Sequence, residues 1–372
     1  MKFLEKILLV VDFIDHDNKN LVDAAIHLSR IFNSKIVVLN VISGRTDDKS
    51  VRKYLHKYAS EEMEKLVNTF KNADVHHKIR IVEGSPFEQI IESSEKEDFN
   101  LILAGPGKAG SDIQRPGITI RKLIRKSAVP VWVIKEAPRD GFKDILCPVD
   151  FSDSSRRALT NAILLSSKMK ANLKIISVFE PVEVISGRIS DDLDEHNEKS
   201  FNSYVNQFDN FIEEYNLSGI NISTEVMKGK PEIEILEELR SGKYDLLLMG
   251  TTGKSGLSRI LIGSVTEKVI EESPVSFITT RKKNIINAEF ELKISQLEML
   301  LKEAGANMEN GEFEKAGELY VKCLDIDSFL LPAIKGAFRA FRKAGKEKKA
   351  KHYALYEKEI ERRLWRTGKN EG

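Results

Sequence analysis

Cysteine is scarce in this chain: only Cys147 and Cys323 occur in 372 residues. Their separation fits neither a disulfide framework nor a metal-ligand spacing, and so few thiols are expected of a reducing cytosol. Long hydrophobic runs are missing too. The opening run Ile7–Val11 is cut by Asp12, too short for a signal-peptide core, and no run approaches the roughly 20 apolar residues of a membrane span. A cytoplasmic protein without membrane contact is expected. Charge of one sign is also lacking: the net formal charge is +1, which gives no global attraction to nucleic acid or anionic lipid. Histidines are few, and His76-His77 has no carboxylate or cysteine at a ligand spacing, so a solvated pair outweighs a metal site. No Ser-His-Asp constellation is arguable.

What is present is an internal repeat. The segment ILLVVDF (Ile7–Phe13) returns as ILCPVDF (Ile145–Phe151), 138 residues on. Glu83–Gly105 (EGSPFEQIIESSEKEDFNLILAG) lines up with Lys228–Gly250 (KGKPEIEILEELRSGKYDLLLMG) at an offset of 145. Each half closes on a short apolar segment after a proline, Val129–Ile134 and Ser273–Thr279. Similarity on this scale indicates a duplicated domain rather than a short-period solenoid. Apolar runs such as Leu246–Met249, Lys35–Ile42 and Leu173–Phe179 lack polar alternation, as strands covered on both faces do. Segments such as Ser154–Lys168 and Pro231–Ser241 carry helical spacing. The fold class expected is α/β: two tandem open, mostly parallel sheets, residues 1–138 and 142–281, divided at Glu136–Gly141. Residues 285–372 have no strand pattern and read as all-α. There Gly311, Phe313, Ala316 and Tyr320 are spaced for two close helices, and Gly345, Ala350 and Ala354 repeat part of that spacing 34 residues on. The pattern resembles one to two tetratricopeptide repeats; a generic helical hairpin is the alternative.

The stretch Met249–Thr266 (MGTTGKSGLSRILIGSVT) holds the letters GKS, the end of a Walker phosphate loop. A Walker loop needs a glycine five residues before Gly253, where Leu248 stands inside a strand, and Gly256 is a poor start for the helix that should follow. The spacing that does hold is G-x2-G-x9-G-S, formed by Gly250, Gly253, Gly263 and Ser264. Gly250 ends a buried strand, where open α/β sheets bind ligands, and glycines let backbone amides approach an anion closely. The helix from Ser264 to Glu271 adds its N-terminal dipole. Met249 and Val265 flank the motif and complete its candidate set.

On these residues the chain resembles the universal stress proteins over residues 1–280, as a tandem pair with the ATP-binding motif intact in the second half. The resemblance implies that Gly250, Gly253, Gly263 and Ser264 contact ribose and phosphates. It also implies that Asp150 lies on the ligand side with Pro148 and Val149 beside the nucleotide, that Val178 meets adenine, and that the domains pair through their last strands. Asp150 could instead serve to cap the following helix, a role open equally to Ser152 or Asp153. In the first half Gly105 aligns with Gly250, Lys108 takes the place of the second glycine, and Ile118-Thr119 is read in place of Gly263-Ser264. That half, though Asp12 survives in it, is therefore expected to have lost ATP, with some anion affinity through Lys108, Gly107 and Gly110 as the alternative.

The function expected is that of a cytoplasmic ATP-binding stress or signalling protein, with Mg²⁺ on the phosphates, in which nucleotide controls a protein partner docked on residues 285–372. The chain is expected to self-assemble or to pair its own domains. Slow ATP hydrolysis on the same fold is an alternative, although the HxGH, KMSKS and SGGxDS signatures of related enzymes are missing and no base is evident. A nucleotide-independent adaptor is another. RNA binding by the basic run Lys335–Lys351 is disfavoured, because Phe338 and Phe341 stand at helical spacing and pack more naturally than they stack on bases.

Overall fold

The computed structural model describes residues 4–13, 18–43, 48–107, 115–138, 140–182, 190–251, 262–281, 288–326 and 330–366. The chain forms two compact units, residues 1–288 and 289–372.

In the first unit the first half runs β1 (Lys6–Val11), α1 (Lys19–Phe32), β2 (Lys35–Ser43), α2 (Lys49–Asn72), β3 (His77–Gly84), α3 (Pro86–Lys96), β4 (Leu101–Ala104), α4 (Ile118–Lys126) and β5 (Val131–Val133). The second repeats it as β6 (Asp144–Pro148), α5 (Asp153–Met169), β7 (Asn172–Phe179), α6 (Ser190–Glu213), β8 (Ile222–Lys228), α7 (Pro231–Arg240), β9 (Leu246–Gly250), α8 (Ser264–Glu272) and β10 (Ser276–Thr280). The strands join in one ten-stranded sheet of order β3-β2-β1-β4-β5-β10-β9-β6-β7-β8.

Each half is parallel throughout, and a single antiparallel seam joins them: Phe277 pairs Val133, Ile278 pairs Trp132 and Thr279 pairs Val131. The two proline-led segments thus meet as the resemblance implied. The reason lies in their composition. Val131, Trp132, Val133, Phe277 and Ile278 are all buried, and an isolated edge of that character would be a template for aggregation. Pairing the two edges removes both. Around the seam, Arg125 bonds Glu267, Arg121 lies 3.6 Å from Glu271, and the Lys135 ammonium donates to the Ser273 carbonyl.

The central strands β1, β4, β6 and β9 are continuous apolar runs because helices cover both faces. One of these helices, α5, shows how the termini are set. Ser152 accepts from the Ser155 amide at its start, and Lys170 takes a left-handed conformation at its end.

The second unit comprises α9 (Ala288–Glu309), α10 (Phe313–Ile326), α11 (Leu331–Lys343) and α12 (Glu347–Arg366). Gly311 and Gly345 occupy equivalent turns with φ of 78° and 71°. A Cβ on Gly317 would strike the Phe341 ring and one on Gly336 the Tyr320 ring. Those small residues, with buried Ala316 and Ala350, let the helices approach. Two helical pairs related by a 34-residue step result.

Candidate functional site

In an open α/β sheet the ligand side is the C-terminal edge of the strands, and both halves present residues of interest there. In the second half β6 lies between β7 and β9, so Pro148, Val149, Val178, Met249 and Gly250 share one strand-end region. Val149 and Ile176 are tied by a 2.8 Å backbone bond, and the Ser177 hydroxyl donates to the Val149 carbonyl. The N-terminus of α8 is sewn to the end of β9 by two bonds. The Gly263 amide donates to the Thr251 carbonyl at 2.8 Å, and the Thr266 hydroxyl donates to the Gly250 carbonyl at 2.9 Å. Ser264 is exposed at the first turn of α8, with half-buried Val265 beside it. Gly253, with Lys254 and Ser255, lies outside the described residues.

Asp150 does not cap α5. Its Oδ1 accepts from the Ser152 amide at 3.1 Å and the Ser152 hydroxyl at 2.5 Å, while Ser152 makes the cap. Asp150 therefore orients the capping serine at the mouth of the site. Between them Phe151 takes φ of 65°, an uncommon left-handed conformation for a bulky residue. Its ring packs against Tyr204, Phe208 and Phe211, with centroids 5.1 to 6.5 Å away, and this aromatic packing holds the kink that aims Asp150. Tyr204 escaped the sequence reading because a tyrosine within α6 carries no motif. Its hydroxyl donates to the Val178 carbonyl at 3.2 Å and lies 2.8 Å from Ser177 Oγ. Burial, with the Asp150 charge nearby adding to it, pushes its phenol upward against the opposing hydrogen bond from Ser177.

Gly250 proves to have a packing role. A Cβ there would strike Ser154 Oγ and lie 2.6 Å from the Ser154 carbonyl carbon. The glycine admits the first turn of α5 against β9, a reason separate from any anion. Among the described residues, the matching Gly105 has nothing within 4 Å of such a Cβ. The two halves also differ in where the following helix starts: α5 begins three residues after Asp150, whereas α1 begins seven after Asp12.

The alignment of the two loops needs a correction. Gly117 caps α4 with φ −66° and ψ 168°, as Gly263 caps α8 with φ −65° and ψ 143°. The Gly117 amide donates to the Pro106 carbonyl at 2.8 Å, the counterpart of the Gly263–Thr251 bond. The first half thus keeps its later glycine, one position earlier than sequence alignment placed it, and Ile118 alone stands where the second half has Ser264. Lys108 and Gly110 lie outside the described residues. A cleft of about 900 Å³ opens at this edge of the first half, walled by Val10, Val41, Phe87, Ala104, Ile120 and Ile134, with Asp12 at the β1 end and Lys122 on α4.

Among the described residues no group of histidine, cysteine, aspartate or glutamate is placed to hold a metal ion, and no helix is long and apolar enough to cross a membrane.

Comparison with known proteins agrees with this architecture. The model of the universal stress protein family matches residues 4–135 and 141–281. A universal stress protein of Methanocaldococcus jannaschii is 32% identical over 173 residues, covering 44% of this chain and 98% of that protein. A crystal structure of a universal stress protein from Archaeoglobus fulgidus superimposes with a TM-score of 0.53 at 22% identity, over 74% of this chain and 98% of that one. Another, from Pseudomonas aeruginosa, gives 0.56 at 17% identity over 77% and 97%. At these identities the likeness to the two structures speaks for the fold.

Proposed function

This chain belongs to the universal stress protein family, and from that premise we propose that it is an ATP-binding stress-response protein whose nucleotide site lies in the second half. The observation that carries the reading is the stitching of α8 to β9 by Gly263 and Thr266, which sets the exposed Ser264 hydroxyl at a helix N-terminus beside Gly250. The neighbouring strand end is polar as well: Thr280, in register with Gly250, keeps a buried hydroxyl with no hydrogen-bond partner among the described residues. In this reading ATP lies across the ends of β6, β7 and β9, with Val178 and Met249 toward the base, Pro148, Val149 and Asp150 along the ribose, and Gly253, Gly263, Ser264 and Val265 around the phosphates. Mg²⁺ would arrive on the phosphates, which suits a cation that keeps most of its water and needs few protein ligands.

Binding, not turnover, is the output in this reading: nucleotide biases the surface presented to a partner. The paired helices of the second unit support a tetratricopeptide-like reading of residues 285–372 as the docking module. The first half serves as the seam partner that completes the sheet. Calorimetry of the full chain tests the site. One ATP per chain is expected, and Gly253→Lys, which copies the lysine of the first-half loop, should abolish it. No heat from the intact protein, with no nucleotide copurifying, would end the reading.

A further inference from the structure

We propose that the cleft of the first half is a second ligand site, for a small carboxylate on an apolar skeleton, with Lys122 as its counter-charge. The two halves share one fold, so differences at equivalent positions report what each edge is built to hold. In the second half Lys268 on α8 is neutralised by Glu232 on α7 at 2.6 Å. The equivalents in the first half are Lys122 on α4 and Phe87 on α3. Replacing that carboxylate with an aromatic ring leaves the Lys122 ammonium without an ion pair among the described residues and gives the cleft an apolar wall. The other lysine lining the cleft, Lys135, is already committed to the Ser273 carbonyl.

Most substitutions around it run the same way, Thr119 in place of Val265 being the exception. Thr251 is matched by Pro106, Ser264 by Ile118, Thr266 by Ile120, and Met249 by the smaller Ala104, which deepens the floor. Hydrogen-bonding capacity has been exchanged for apolar surface and volume. Against Pro106, Ile118 and Ile120 a triphosphate would find no side-chain donor, which is costly; the uncharged polar side chains of the lining are Asn18, Asn20, Ser43, Ser85 and Thr119. One anionic group beside Lys122 would be matched, and an apolar body would fill the rest. The volume of about 900 Å³ is within the range of small-molecule sites. Asp12, at the opposite end, disfavours a second negative charge.

The probe is 8-anilinonaphthalene-1-sulfonate, an aromatic monoanion, titrated into the full chain and displaced by octanoate, phenyl phosphate, AMP or ATP. Saturable binding displaced by octanoate, and more weakly by the more highly charged phenyl phosphate, AMP and ATP, is expected. Lys122→Gln, a change at an exposed position, should weaken binding about tenfold, the loss of one charge-assisted contact. Phe87→Glu, which copies the arrangement of the second half, should abolish it, while Lys268→Gln should leave it unchanged. Equal affinity in wild type and Lys122→Gln, with matching circular dichroism melts, would overturn the proposal. So would displacement by phenyl phosphate or ATP more tightly than by octanoate, which would make the cleft a phosphate or nucleotide site. The proposal is separable from the ATP reading, since Lys122→Gln should leave the heat of ATP binding unchanged.

Discussion

A methyl group added at Gly250 would lie 2.6 Å from the carbonyl carbon of Ser154 and 2.8 Å from its oxygen, and helix backbone cannot rotate aside as a side chain can. Gly250→Ala should therefore destabilise the first unit by about 1–3 kcal/mol, the usual cost of overpacking, whereas Gly105→Ala should cost far less because none of the described residues lies within 4 Å of its added Cβ. Paired thermal melts check this; equal losses would mean that α5 does not press on β9. The consequence for site mapping is direct. Loss of nucleotide in a Gly250 variant would not separate a binding role from a folding one, which makes Gly253 the better probe. The nearby cap gives a second residue-scale expectation: Ser152→Ala removes the acceptor of the Ser155 amide and the donor to Asp150, and should cost about 1 kcal/mol. An unchanged denaturant midpoint would contradict that.

At the scale of elements, the buried strands were legible because nothing polar interrupts them: Leu246–Met249 became β9 with Gly250 added, and Ser264–Glu271 became α8 with one more residue. The seam was legible only through the resemblance; apolar content says that β5 and β10 need cover, not that they cover one another. The site was less readable. The one-residue shift that brings Gly117 into register with Gly263 depends on where each helix is tied to its strand, and spacing counted from Gly105 passes over it. Lys122 was invisible for a similar reason, since its freedom is set by residue 87 on a different helix. Tertiary pairing of this kind also fixes an acid response. The Arg80 guanidinium, and with it the Lys6 ammonium at 2.9 Å, holds the Glu97 carboxyl down to about 2, against an ordinary value of 4.5. A folded value below the unfolded one stabilises above pH 4.5 and is lost as pH falls toward 2. Glu97→Gln should thus lower stability at pH 7, by an amount held small by solvent exposure, and the difference from wild type should close between pH 4.5 and 2. Denaturant midpoints across that range measure it; a gap that persists at low pH would assign the loss to packing.

On the scale of the whole molecule, each compact unit has a hydrophobic core of its own. One is centred on residues such as Leu8, Ile102, Leu146 and Leu247 of the shared sheet, and the others lie among the helices around Cys323 and Phe341. Within the first unit, in contrast, buried residues of both sequence repeats belong to one cluster that crosses the seam. Cooperativity should follow the cores and not the repeats. Scanning calorimetry of the full chain is expected to show two transitions, one for residues 1–288 and one for the helical unit, with no third transition separating the sequence halves. Ligand linkage then identifies them. ATP at a hundredfold excess over its dissociation constant adds about 2.7 kcal/mol to whatever holds the site. If the nucleotide site is where we place it, ATP should raise the transition of the sheet as a single event, first half included, and leave the helical transition where it is. A helical transition that moves with ATP would instead place part of the nucleotide site on residues 289–372; a sheet transition that splits on adding ATP would show that the β5–β10 seam is too weak to make the halves one folding unit.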